Sequence, residues 1–148
     1  MNVSYNGDND TSRAWVKDFV AGLSDEDMAH PVGEHWTIAV GLAHLAFWDR
    51  QWCAKLEEWQ RTGVVLVPTL RQEYNRINDG MLPWWREISP AQARHEVIAA
   101  MEAMDATIAG LSPFVVDGIL AKRPRTIQRT VHRHEHIGEI QRALGREA

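Results

Sequence analysis

Apolar positions recur at helical spacing along almost the whole chain. A first helix is expected from Asp10 or Thr11, either of which can cap it, to about Leu23. Within it Trp15, Phe19, Val20 and Leu23 fall at i, i+4, i+5 and i+8, one face of a helix. Ser24-Asp25-Glu26-Asp27 can open a short turn before Pro31 and Gly33 break the chain. A long helix is expected after Trp36, with Thr37 as N-cap and Gly63 as terminator. Leu42, Leu45, Trp52, Leu56 and Trp59 form its stripe as far as about Thr62. The next pattern runs from about Thr69 to Ile88, and Gly80 and Pro83 predict a kink or break in it. Ser89-Pro90 restarts the helical pattern, serine at the cap and proline at the first helical position. Val97, Ile98, Met101, Met104, Ile108 and Leu111 follow at helical spacing. A loop containing Pro113, Gly118 and Pro124 is expected to lead to Thr126, the cap of a last helix reaching about Leu144. Strand-like clustering occurs only in Val64-Val65-Leu66-Val67, closed by Pro68. The pattern therefore predicts an all-α fold, a four-helix bundle with an extra short or kinked helical segment.

Length and composition narrow the picture. A chain of 148 residues suits one domain, residues 1–148, and can bury a core without disulfides. The single cysteine, Cys53, excludes an internal disulfide and any thiolate-cluster zinc site, and fits a reducing, cytoplasmic setting. The first residues lack the basic start and apolar stretch of a signal peptide, and no apolar run is long enough to span a membrane. With a net charge of −4, a general attraction to nucleic acid is not expected. Seven tryptophans against three phenylalanines and two tyrosines predict an aromatic-rich core or cleft.

The chemistry-bearing residues are the histidines. On a helix, positions i and i+4 lie about 40° apart, so His132 and His136 project side by side. Two imidazoles one turn apart suit a surface pair or a metal clamp, and a third ligand from a facing helix would leave a site with open positions. His134 points about 200° away from His132 and cannot join them. Glu135 does not make a zincin motif, since the order His-Glu-x-x-His is absent. His44 taken alone reads as a satisfied core residue before it reads as a ligand. His30, His35 and His95 read as surface or loop residues, with His35 near the mouth of the long helix.

The Trp36-Thr37 start, His44 within Leu42-Ala43-His44-Leu45, and the terminal His132-x-x-x-His136-x-Gly138-Glu139 together resemble the DinB-like superfamily. That group includes mycothiol-dependent maleylpyruvate isomerase and other four-helix metalloproteins. The likeness extends over essentially the whole chain, to Asn75 and Asn78 in the middle helix and the Leu111-Ser112 turn. Glu139 stands where a glutamine is common in the family. The resemblance implies a divalent metal held by His44, His132 and His136, and a homodimer. Zinc is the favoured cation, although imidazole also suits nickel, iron and manganese. It further implies thiol-dependent S-transferase or isomerase activity on a small molecule, with a low-molecular-weight thiol. Metal-assisted hydrolysis, and a small-molecule binding or resistance protein without catalysis, are the alternatives; a bundle that acts only through an exposed helix face is a third.

Other positions follow from the helix geometry. Trp48 and Gln51 share the face of His44 and are candidates to contact a ligand, whereas Cys53 lies about 180° round the helix. Any reacting thiol would then be external. Glu139 falls on the stripe of His132 and His136, where it can orient a histidine N–H. Lys122, Arg123, Arg125, Arg129 and Arg133 read as a solvated basic face, or as a collar for an anionic substrate or a carboxylate-bearing thiol. Trp59, Trp84 and Trp85 are expected to supply aromatic surface for self-association.

Overall fold

A computed structural model of the protein describes residues 4–66 and 71–146. The first helix, α1 (Ser4–Ala21), starts ahead of Asp10 and Thr11, so neither caps it. The reason is tertiary. Asn9, 1% exposed, donates from its side chain to the Ile127 carbonyl and accepts from the Arg129 N–H, each at 2.8 Å, which holds the chain helical before Asp10. Helix α2 (Asp25–Met28) follows with Ser24 and Asp27 capping each other reciprocally. Two-residue strands β1 (Pro31–Val32) and β2 (Trp36–Thr37) then pair antiparallel, Val32 opposite Trp36. Periodicity did not indicate this small ladder; it fixes Trp36 where the next helix begins.

Helix α3 (Ile38–Thr62) has the expected caps: Thr37 Oγ1 accepts from the Val40 N–H, and Gly63 turns left-handed at φ 72°. Val64–Leu66 form no strand, while Val67, Pro68 and the expected helix start at Thr69 lie outside the described residues. Helix α4 (Arg71–Glu87) runs unbroken through Gly80 and Pro83. An interior proline costs about 3 kcal/mol. Here Trp85, with Met81 and Leu82, packs on Val40 and Ala43 of α3, anchoring the helix on both sides of the proline.

Helix α5 (Pro90–Ala109) starts on the expected Ser89 cap. The loop expected around Pro113 and Gly118 is instead helix α6 (Pro113–Lys122), capped by Ser112 with proline at its start, the same signature as Ser89-Pro90. Gly118 is needed for packing: a Cβ there would stand 3.0 Å from Val65 Cγ2. After a 3-10 turn at Pro124–Thr126, helix α7 (Thr130–Ala143) begins later than Thr126, whose side chain is buried and caps nothing. Asn9 meets the Arg129 N–H at that start in place of a local cap.

In the bundle, α1 packs on α5 and α7, and α3 packs on α5 and α4. One apolar cluster joins Val16, Leu42, Leu45, Val97, Met101 and Ile137; a second joins Leu56, Trp59, Met104, Ile108, Val116 and Ile119, with α6 as its lid. A polar seam runs between them. Arg133 forms a bidentate pair with Asp105, at 2.6 and 3.0 Å, and also donates to the Asn9 carbonyl and Ser12 Oγ. Arg129 pairs with Asp49 at 2.9 Å. Arg129 and Arg133 are therefore interior residues, not part of a solvated face. Trp59 and Trp85 are buried as well, so of the three tryptophans expected at an interface only Trp84, 72% exposed, is available. No single helix among the described residues is long and apolar enough to cross a membrane.

Candidate metal centre

Helices α3 and α7 do not pack closely along their length, and their histidines meet in the space between them. His132 and His136, one turn apart on α7, have ring centres 4.5 Å apart. His44 of α3 faces them, its ring centre 6.3 Å from that of His136. Trp36 from β2 and Trp85 from α4 close around His44 at 4.6 and 5.2 Å. His44 Nδ1 is buried and has no hydrogen-bond partner, an uncommon state for a polar atom. Glu139 Oε2 lies 3.9 Å from His136 Nδ1, close enough to bias its proton electrostatically.

The remaining candidates separate from this cluster. His134 stacks on Trp15 at 4.1 Å, on a different face of α7. His30, His35 and His95 are exposed. Cys53 is buried in the second apolar cluster, with its Sγ 3.8 Å from Met104 Sδ. Burial, the largest influence, pushes its thiol up from the usual value.

Three imidazoles are a sound donor set for a first-row divalent cation. With metal–nitrogen bonds of about 2.1 Å, the ring centres of two ligands on one ion stand roughly 4.5–5.2 Å apart. His132 and His136 meet that range, and His44 falls about 1 Å outside it. Among the described residues, no three His, Cys, Asp or Glu side chains already converge closely enough to hold an ion.

Burial also sets the protonation of the cluster. It pushes His44 down from 6.5 to about 4, helped by the neighbouring His136 and opposed by Asn78. It pushes His132 down to about 2, helped by Arg129 and then His136. His136 is lowered by burial too, against the pull of Glu139 and Glu135. The rings are therefore neutral and able to donate lone pairs at neutral pH. A consequence for stability follows. Between pH 6.5 and these depressed values the unfolded chain binds protons that the folded chain does not. The stabilisation is fully present above pH 6.5 and falls by up to about 1.4 kcal/mol per pH unit for each histidine below it. Urea midpoints of metal-free protein at pH 7.5, 6.0 and 5.0 are expected to decrease steadily, and less steeply for His132→Asn. Midpoints independent of pH over that range would show that the rings protonate freely in the fold.

The histidines border a cavity of about 540 Å³, with His44 and His132 in its wall. Trp48 lines it as its helical position suggests, and donates from Nε1 to Asn78 Oδ1 at 2.7 Å. Gln51 is exposed and lies outside it. Sequence reasoning missed Tyr74, whose ring meets Trp48 edge-on at 4.9 Å in the same wall. It also missed Asp49, which holds Arg129 beside His132. Its signal was available: an aspartate within an otherwise apolar helix face is a candidate buried ion-pair partner.

The family model of the DinB superfamily matches residues 9–140, which takes in all three histidines and most or all of each long helix. The chain belongs to the DinB superfamily. No curated protein and no solved structure matches it significantly.

Proposed function

We propose that this member of the DinB superfamily is a metal-dependent enzyme in which His44, His132 and His136 hold a divalent cation, zinc being favoured, and which carries out thiol-dependent transfer or isomerisation of a small molecule. The observation that carries the metal assignment is the approach of three neutral, half-buried imidazoles from α3 and α7, one with an unpartnered Nδ1, two of them in the wall of one cavity. A thiol, rather than water, as the nucleophile follows from the resemblance carried by the Trp36-Thr37, His44 and His132-x-x-x-His136 motifs. The bound cation would supply Lewis acidity, making a thiol or water acidic enough to react at neutral pH.

The chain's own residues have definable tasks. Trp36 and Trp85 shield His44 from water and keep its ring in place. Glu139 favours a proton on His136 Nδ1 and so leaves Nε2 free as a donor. Trp48, fixed by Asn78, supplies an apolar wall against which a substrate can be oriented. Cys53, buried away from the cluster with a raised pKa, takes no part, so the thiol must come from solution.

Metal analysis of protein purified without a histidine tag tests the reading. It expects close to one equivalent per chain, retained in Cys53→Ala together with any thiol-transfer activity to within a few-fold. Protein that takes up no metal after incubation with zinc, nickel, iron(II) or manganese would sink the reading. Loss of turnover in a metal-loaded, folded Cys53→Ala chain would move the nucleophile into the protein.

A further inference from the structure

The cavity lining combines two kinds of side chain. Trp48, Trp52 and Tyr74 supply aromatic surface, and Lys122, Arg123 and Arg125, from the end of α6 and the turn that follows it, supply positive charge. These charges are not all neutralised. Arg125 is paired with Glu135 at 2.7 Å, and Arg129, deeper in the wall, with Asp49. Lys122 donates only to the neutral Val65 carbonyl, at 2.5 Å. Arg123 lies with its guanidinium 4.8 Å over the Trp52 ring and has no carboxylate partner among the described residues. Two cations thus line a concave site without a carboxylate partner among the described residues, on a chain whose net charge is −4. A cleft of this kind concentrates field and attracts anions. Stacking on Trp52 also holds the arginine fork in one plane, which suits a planar carboxylate.

We propose that this cavity selects a small organic anion, its carboxylate held by Arg123 and Lys122, its flat apolar body against Trp48, Trp52 and Tyr74, and its reactive end toward the histidines. The placement of the reactive end rests on the metal-centre reading above; the anion selection does not. The volume, about 540 Å³, admits a single small molecule and is of ordinary ligand-site size. By charge alone the basic run suits a solvated face or a collar. Burial divides it: Arg133 and Arg129 serve the core, while Lys122 and Arg123 remain for a ligand.

Calorimetric titration of the full chain, kept metal-free with a chelator, tests the proposal with matched probes. One pair is cinnamate and cinnamamide; the other is 3-mercaptopropionate and 2-mercaptoethanol. A carboxylate is expected to bind roughly tenfold more tightly than its neutral partner, and the gap to shrink as salt is raised. Arg123→Gln and Lys122→Gln should each remove most of that gap, read as the ratio of the two affinities in the same variant, and Arg123→Lys should restore part of it. A preference with cinnamate assigns the anion to the acceptor substrate; one seen only with mercaptopropionate assigns it to the thiol. Either supports the proposal. Equal affinity within both pairs, or a preference that survives both glutamine substitutions, overturns it. Metal uptake measured on the same preparations keeps the two readings apart: anion preference without metal uptake removes the proposed metal centre alone, and metal uptake without anion preference removes the proposed selection alone.

Discussion

Asp105→Ala is expected to lower the unfolding free energy by about 3–5 kcal/mol, the usual cost of leaving a buried charge without its partner. The Arg133 side chain is 1% exposed, and among the described residues its two bonds to Asp105 are its only contacts with a charge of opposite sign. Without the carboxylate, the Asn9 carbonyl and Ser12 hydroxyl remain as neutral acceptors, too weak to offset desolvation of a guanidinium. Arg13, which also touches Asp105, is partly exposed and retains Asp10. The double variant Asp105→Leu with Arg133→Met removes both charges and is expected to recover most of the loss, since a buried pair is often no more stabilising than well-packed apolar side chains. Urea unfolding with unchanged slope measures both. A single variant within about 1 kcal/mol of the parent would mean that water already reaches the seam.

His132→Ala is expected to reduce zinc affinity by more than about a hundredfold, because two imidazoles then remain of the proposed three. His134→Ala, two residues away, is expected to retain the parent affinity, because its ring stacks on Trp15 and faces away from the cluster. Competition titrations with a chromogenic chelator give both constants. Equal affinities in the two variants would place the ion elsewhere on the chain. The comparison is informative because the substitutions remove the same atoms from the same helix and differ only in face.

Much of this arrangement was legible in the sequence. Helical periodicity identified the long helices, and the i, i+4 spacing paired His132 with His136 and set His134 apart. Local signals failed where the deciding interaction comes from a distant part of the chain. Asp10 and Thr11 are good local caps, but Asn9 is held by Ile127 and Arg129, and α1 continues through them. Thr126 is likewise a plausible cap made irrelevant by the same contact. Pro83 suggests a break that Trp85 prevents by packing on α3. The helix at Ser112-Pro113 is a different case: its start signal was local and matched Ser89-Pro90, but Gly118 inside it was weighed as a breaker when it serves close approach to Val65. Within the basic run, charge alone could not separate Arg129 and Arg133 from Lys122 and Arg123. What separates them is the presence of Asp49 and Asp105 on facing helices.

The clasp made by Asn9 has a consequence for the order in which the protein assembles on the ribosome. Its two hydrogen bonds join residues 118 and 120 positions apart, among the longest-range contacts in the fold. A nascent chain that has released α1 to α6 but not residues 127–129 can collapse its two apolar clusters only in part, with Asn9 and Asp49 lacking their partners and Asp105 left with Arg13 alone. Docking of α7 then satisfies these groups and delivers His132 and His136 in the same event. Non-local contacts of this kind form late, since the closure entropy of a long loop must be met before they contribute. The imidazole pair therefore acquires its place together with the pairing of Asn9 and Asp49, late in assembly.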